Sequence, residues 1–321
     1  MLSPEVIKKI KKVHIRTGRM VNTIMAGQYR SIFRGAGIEF EEVREYTPGD
    51  DVKSIDWKVS ARMGKPFIKR YCEEREQVVM LLVDMSGSGR FGTTQSVKRE
   101  TAAEIAAILA FNAIRNNDKA GAILFTDQVE RYIPPKKGSA HVWRLIREIF
   151  TFQPEHTGTD IVEAVNFLAR VCRKRTVAFL VSDFLTEDFG QRTTMRIRSA
   201  ARKHELISIL VTDPGEFRLP DGGIVAFQDL ETRAMHFLDA SDRTTRERFQ
   251  ASRQAIHENV LQTHKTMDMD CIEMTTDGDA ADALVRYFRL RERRRRAPLR
   301  ARVDRHRAHR LARPRLDRGA R

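Results

Sequence analysis

The chain of 321 residues is 41% hydrophobic and 31% charged, which is enough for one large or two modest domains around a buried core and excludes a wholly disordered polymer. Its net charge of +15 suggests a nucleic-acid binder until it is divided: residues 291–321 hold 14 Arg, no Lys and 3 acids, leaving residues 1–290 nearly neutral at +4. The longest mostly apolar stretch, 102–114, is broken by Glu104 and Asn112 and falls short of the roughly 20 residues a membrane-spanning helix needs.

At the N-terminus Ser3-Pro4-Glu5 is a helix start. It runs into Lys8, Lys9, Lys11 and Lys12 with no apolar leader or small-residue cleavage site behind it, so the chain reads as cytoplasmic. Residues 1–77 form an accessory segment. Within it, Gly35, Gly37, Pro48, Gly49, Gly64 and Pro66 punctuate dense mixed charge, and short strands are expected over 38–46 and 66–71. The charges of 39–62 read as an internal salt-bridge lattice, with a docking surface as the alternative; Tyr46 and Trp57 read as packing residues.

From residue 78 the pattern changes. Four β-branched apolar runs each end in an aspartate: Val78-Val79-Met80-Leu81-Leu82-Val83-Asp84, Ala122-Ile123-Leu124-Phe125-Thr126-Asp127, Val177-Ala178-Phe179-Leu180-Val181-Ser182-Asp183 and Ile207-Ser208-Ile209-Leu210-Val211-Thr212-Asp213. Apolarity without alternation marks strands buried on both faces, as in parallel sheets covered by helices. Residues 129–133 follow their predecessor too closely for a crossover and are expected to turn back as an antiparallel edge. Helical stripes fall between the strands, at Ile105, Ile108, Leu109 and Ile114 and at Ile161, Val165, Leu168 and Val171. A further helix is expected from Thr244, with Glu247 completing a capping box and Phe249, Ile256 and Val260 inward; His257 and His264 on it read as surface residues. A last strand and helix fit 271–274 and 280–290. The alternation predicts an α/β domain over 78–292 with a doubly wound, mostly parallel sheet. The Arg-rich tail, 293–321, has a composition expected to be disordered and to touch nucleic acid at most non-specifically. Cys72, Cys172 and Cys271 are odd in number and widely spaced, and read as inert thiols.

Ligands of doubly wound sheets bind outside the carboxyl ends of the strands. There, Asp84-Met85-Ser86-Gly87-Ser88-Gly89 sets a carboxylate and two hydroxyls at alternate positions of a curled loop, and Thr157-Gly158-Thr159-Asp160 opens a helix with further hydroxyls. Oxygens so arranged suit a hard cation such as Mg²⁺. Asp127 and Asp213 read as turn formers or caps outside the site. No G-x-x-x-x-G-K-[ST] loop and no Gly-x-Ser-x-Gly elbow occurs, so a P-loop ATPase and an elbow-type hydrolase are excluded. A metal-dependent phosphoesterase using the strand-end aspartates is the enzymatic alternative.

The loop resembles the metal-ion-dependent adhesion site of the von Willebrand factor A fold, with its pattern Asp-x-Ser-x-Ser, then Thr, then Asp. Asp84, Ser86 and Ser88 match its first part, Thr159 its second and Asp183 its third. That resemblance implies a Mg²⁺ site, with Mn²⁺ or Ca²⁺ as substitutes, whose last coordination position takes an acidic side chain of a protein partner. Upstream, Gly37-Ile38-Glu39-Phe40-Glu41-Glu42-Val43-Arg44-Glu45-Tyr46-Thr47-Pro48-Gly49-Asp50-Asp51 and Ile55-Asp56-Trp57-Lys58-Val59-Ser60-Ala61-Arg62 resemble the signature of the bacterial domain of unknown function 58 family. The likeness extends to about Arg296 and takes in Ser182-Asp183-Phe184 and Asp213-Pro214-Gly215-Glu216; Gly89 departs from it, standing where many members have Met. The resemblance implies a non-enzymatic interaction protein paired with a MoxR-type AAA+ ATPase, the two acting in a chaperone-like way on a further client.

Overall fold

The computed structural model describes residues 39–72, 76–186 and 190–296. The expected helix start at Ser3 lies outside the described residues, and of the tail expected over 293–321, residues 293–296 continue the helix Ala280–Arg296 while 297–321 lie outside the described residues.

In the accessory segment β1 (Glu39–Glu45) pairs antiparallel with β2 (Phe67–Cys72), with a register shift between Phe40 and Glu42. Between them runs α1 (Trp57–Met63), a single short helix. Asp56 caps it by accepting from the Lys58 and Val59 amides, and Gly64 ends it at φ +72°, a left-handed conformation that favours glycine. Charge is matched locally: Arg44 grips both carboxylate oxygens of Asp50 at 2.9 and 2.7 Å. That guanidinium and the Thr47 hydrogen bonds hold the Asp50 carboxyl down at about 2. Trp57 departs from expectation: as the first residue of α1 it points outward and is 70% exposed.

The main domain is one six-stranded sheet. Its strands are β3 (Val78–Asp84), β4 (Lys119–Phe125), β5 (Val129–Lys136), β6 (Val177–Ser182), β7 (Glu205–Thr212) and β10 (Cys271–Thr275), in the order β10-β7-β6-β3-β4-β5. All neighbours are parallel except β4 and β5. The antiparallel edge expected at 129–133 is therefore present, and Pro134 and Pro135 on it leave that stretch without backbone donors for a further strand.

Alternating side chains of β3 explain the layers. Val79, Leu81 and Val83 face α2 (Lys98–Arg115), α3 (Ser139–Thr151) and α7 (Ala280–Arg296), while Met80 and Leu82 face α4 (Ile161–Val171), α5 (Gln191–Lys203) and α6 (Arg243–Thr266). Three helices thus cover each face, and this is why the central strands read as continuous apolar runs. A separate hairpin, β8 (Ile224–Gln228) with β9 (Met235–Asp239), stands outside this sheet.

Helix α6 differs from expectation in three ways. Its cap is Asp242, which accepts from the Thr244 and Thr245 amides, so a carboxylate outcompetes Thr244 for the free amides of the first turn. Val260 packs inward and Phe249 is half-buried, but Ile256 is 41% exposed. His264 is buried rather than superficial: it packs edge-on against Phe184, at 4.8 Å, and its Nδ1 lies 2.7 Å from the Val260 carbonyl. Cys172 and Cys271 are free, and burial pushes the Cys271 thiol up to about 12. Both are thereby held protonated and poorly nucleophilic.

Because β3 is flanked on both sides and covered on both faces, truncation there leaves a cavity that cannot collapse. Leu82→Ala, at a fully buried position, is expected to cost about 2–5 kcal/mol in urea denaturation, whereas Ile256→Ala should cost under about 1 kcal/mol.

Candidate metal centre

Strand order positions the site. The chain leaves β3 for β4 on one side and later returns to β6 on the other, so the order reverses between β3 and β6. The crevice of a doubly wound sheet opens at that reversal, beyond the carboxyl ends. Pairing of Val83 with Val181 carries Asp84 to the side of Ser182 and brings Asp183 into the same crevice.

Asp84 ends β3 almost fully buried. Its Oδ1 accepts from the Ser86 amide at 2.9 Å and its Oδ2 from the Ser182 hydroxyl at 2.6 Å. The loop then tightens into a 3-10 turn, Gly87–Arg90, which sets the Ser86 and Ser88 hydroxyls 3.0 Å apart. Asp183 follows β6, and Phe184 after it takes φ +54°, an uncommon left-handed conformation for a buried aromatic residue. The bend is held by the Phe184 amide donating to Ser182 Oγ and the Leu185 amide donating to Asp183 Oδ1. Strain is thus concentrated at the strand end that carries a candidate ligand.

Asp84, Ser86, Ser88 and Asp183 share one small recess with Lys98. Thr159 lies in the adjoining cleft of about 930 Å³, which Ser88 and Lys98 also line. Its hydroxyl donates at 2.8 Å to Glu231, on the turn between β8 and β9. Four of the five residues read from sequence thus line the recess, and Thr159 lines the cleft beside it, the two cavities sharing Ser88 and Lys98.

Four further residues border these ligands: Ser182 and Glu216, which lie in segments that carry the family resemblance, and Lys98 and Glu231, which no motif announces. Ser182 orients Asp84. Lys98, the first residue of α2 and 3% exposed, bridges Asp183 and Glu216 at 2.5 Å each. A cation at a helix N-terminus opposes the helix dipole, and its preceding residue Val97 provides no capping side chain. The two carboxylates therefore determine its position. Burial pulls the Lys98 ammonium down, but the charges of Asp183 and Glu216 more than offset it, leaving the pKa above the ordinary lysine value. Glu231 is the fourth. Asp213, as expected, stays structural: it caps the turn Pro214–Glu216 and ties Thr93 and Thr276 to it.

Asp183 and Glu216 share the Lys98 ammonium, Asp84 and Glu231 have hydroxyl partners instead, and Arg99 also lines the recess. Burial first and then the neighbouring Asp183 charge push the Asp84 carboxyl up to about 6, against the hydrogen bonds from Ser182 and Ser86. Burial, with Asp84 and Asp183 adding to it, pushes Glu231 up to about 7. Among the described residues no three His, Cys, Asp or Glu side chains form a metal cage. The donors at the strand ends are instead carboxylate plus hydroxyl, a set that fits a hard cation which keeps part of its water shell. A divalent charge there would favour the ionised form of both carboxyls, against the burial that chiefly raises them.

A family model described as "Protein of unknown function DUF58" matches residues 42–259. The uncharacterized protein Rv1480 of Mycobacterium tuberculosis is 30% identical over 293 residues, covering 90% of this chain and 91% of that protein. YeaD of Bacillus subtilis, also uncharacterized, is 30% identical over 108 residues, 33% of this chain and 25% of that one. Among solved structures, BatB from Bacteroides thetaiotaomicron aligns at 16% identity with a TM-score of 0.46, over 68% of this chain and all of that one. The SpRpn10 VWA domain aligns at 9% identity with a TM-score of 0.37, over 65% of this chain and 94% of that one. The von Willebrand factor A-type α/β architecture is carried here by the strand order itself.

The raised carboxyls set a pH dependence. With folded pKa values of about 6 and 7 against 3.8 and 4.5, the native state binds more protons than the unfolded chain across that window. Their contribution to stability is therefore greatest in acid and lost as pH rises through about 4 to 7. His204 and His264, held below the ordinary histidine value by burial, titrate in the opposite sense, so the informative quantity is a difference between variants. In EDTA, wild type is expected to lose on the order of 1–3 kcal/mol more stability than Asp84→Asn between pH 5 and pH 8. Parallel stability profiles for the two would contradict this.

Proposed function

The chain belongs to the DUF58 family, whose members share no assigned activity, and from that premise we propose that it is a protein-interaction module with a divalent-cation site at the β3–β6 crevice. The observation that carries this reading is the close grouping, at the strand-order reversal, of the Asp84 carboxylate, which accepts from the Ser86 amide, with the Ser86 and Ser88 hydroxyls 3.0 Å apart. Asp84, Ser86, Ser88, Thr159 and Asp183 would hold Mg²⁺. When bound, the ion supplies a Lewis-acidic position to which a partner's carboxylate can attach.

The chain's own residues set up recognition rather than turnover. Ser182 fixes the rotamer of Asp84, so the carboxylate acts as a base plate rather than a mobile general base. Lys98 holds Asp183 in an ion pair and leaves it poorly placed to activate water. Ser86 and Ser88 present hydroxyls to the crevice; among the described residues no histidine or thiol lines the recess beside them, and His236 lies in the adjoining cleft. The cleft beyond Thr159 provides apolar walls from Ile161, Leu185, Phe227 and Leu238, against which a partner segment carrying the acidic residue can pack.

The partner this reading favours is a MoxR-type AAA+ ATPase, with the pair acting on a further client; family resemblance supports that assignment, and the cytoplasm is the compartment it implies. Among the described residues no helix is long and apolar enough to cross a membrane.

Mg²⁺ or Mn²⁺ is expected to raise the melting temperature of wild type but not of Asp84→Ala. Capture of a MoxR-type AAA+ ATPase should weaken by about 1–3 kcal/mol in EDTA and equally in folded Asp84→Ala and Ser86→Ala proteins, measured by surface plasmon resonance. Full-strength capture under all three conditions would move the interface to residues 39–62. Mg²⁺-dependent hydrolysis of a generic phosphoester, abolished by Asp84→Ala, would instead make the site catalytic.

A further inference from the structure

The β8–β9 hairpin stands outside the main sheet yet reaches the candidate ligands. Its turn is tightly organised: Asp229 Oδ1 accepts from the Glu231 and Thr232 amides at 2.8 and 3.1 Å, and Arg233 takes φ +62°. This geometry fixes the direction in which Glu231 projects. The Glu231 side chain accepts from Thr159 Oγ1, and its backbone carbonyl accepts from Thr157 Oγ1 at 3.0 Å.

The same turn is pressed onto the serine loop. A Cβ at Gly87 would lie 2.1 Å from the Leu230 carbonyl oxygen, so the residue between Ser86 and Ser88 must be glycine because the hairpin occupies the space a side chain would need. The loop and the hairpin are therefore matched parts of one site.

The hairpin is also built to come away. A two-stranded ribbon has little stability of its own. On its inner side Phe227 stacks on Phe249 of α6 at 5.8 Å, while Ile224 and Phe237 on its outer side are 76% and 67% exposed. Elements held by so few buried contacts are drawn from the low end of local stability.

We propose that Glu231 is a built-in stand-in for the partner's carboxylate, and that the β8–β9 hairpin is a latch which a partner must displace to reach the site. The proposal rests on the divalent-cation reading above and adds to it an internal competitor. A segment carrying an aspartate or glutamate would enter along the cleft, take over the position Glu231 guards and break the Thr157 and Thr159 hydrogen bonds. The hairpin's outer apolar face would then be carried away from the crevice with it.

Mn²⁺ alone is a sufficient probe. Its affinity is measured by calorimetry, and the number of exchanging waters on the bound ion by water-proton relaxation, for the full chain and for Glu231→Gln, Thr157→Val and Asp84→Ala, each checked for folding by circular dichroism. Glu231→Gln is expected to weaken Mn²⁺ by at least about tenfold and to add about one exchanging water per ion. Thr157→Val, which loosens the hairpin without touching the carboxylate, should shift both readouts the same way by a smaller amount. If Asp84→Ala abolishes binding while Glu231→Gln matches wild type in affinity and in water number, Glu231 only fastens the hairpin and the latch is wrong, with the cation site intact. Wild type that binds no Mn²⁺ would overturn the latch together with the site.

Discussion

Two aspartates held side by side at the ends of adjacent parallel strands are the constraint around which this molecule is organised. Parallel pairing of β3 with β6 sets Asp84 beside Ser182, the bend after Ser182 brings Asp183 into the same crevice, and burial denies the two carboxylates the water that would screen their repulsion. The surroundings respond accordingly. Lys98 is drawn to a helix N-terminus that disfavours it, Ser182 donates to Asp84, and Phe184 accepts a strained backbone to close the turn. Even so, burial first and the neighbouring carboxylates second raise Asp84 and Glu231 toward neutral pH. A protein that needed only stability would have an easier solution in an apolar pair. Retaining this arrangement is intelligible if a cation is the missing counter-charge.

The hairpin gives the same centre a second layer. The glycine in the serine loop, the threonines before α4 and the turn at Glu231 come from segments far apart in the chain, yet each is shaped by the others. An interaction site that carries its own carboxylate discriminates between partners by whether they can outcompete that group. Under the proposed latch, affinity would be reduced by the cost of opening the hairpin, while selectivity for well-matched acidic segments would increase.

How much of this was legible in the sequence depended on whether a residue's role was local. Strands buried on both faces need continuous apolarity, so β3, β4, β6 and β7 were readable with their terminal aspartates, and the short gap before Val129 revealed the antiparallel edge. The Asp84, Ser86 and Ser88 spacing was readable because one tight loop holds all three. Lys98 was not, since its partners lie 85 and 118 residues away and a lysine opening a helix looks like any solvated charge. Glu231 was hidden in a polar stretch whose only signal is its place in a turn between two short strands. On α6 the apolar pattern misled, because the helix is mostly exposed and touches the core through Val260 and His264, so a histidine is buried where Ile256 was expected. Trp57 failed for a similar reason: aromatic character alone does not say which side of a short helix faces inward.

The central claim is that the β3–β6 crevice binds a divalent cation through serine hydroxyls. The most direct measurement is an anomalous difference map from crystals of the protein grown with Mn²⁺. It should place a peak at about 2.1–2.3 Å from the Ser86 and Ser88 hydroxyls, with Thr159 and the two aspartates around it and Lys98 still paired to Glu216. Well-ordered crystals saturated with Mn²⁺ that show no peak there, with the Ser86 and Ser88 hydroxyls bonded only to each other and to water, would contradict the claim.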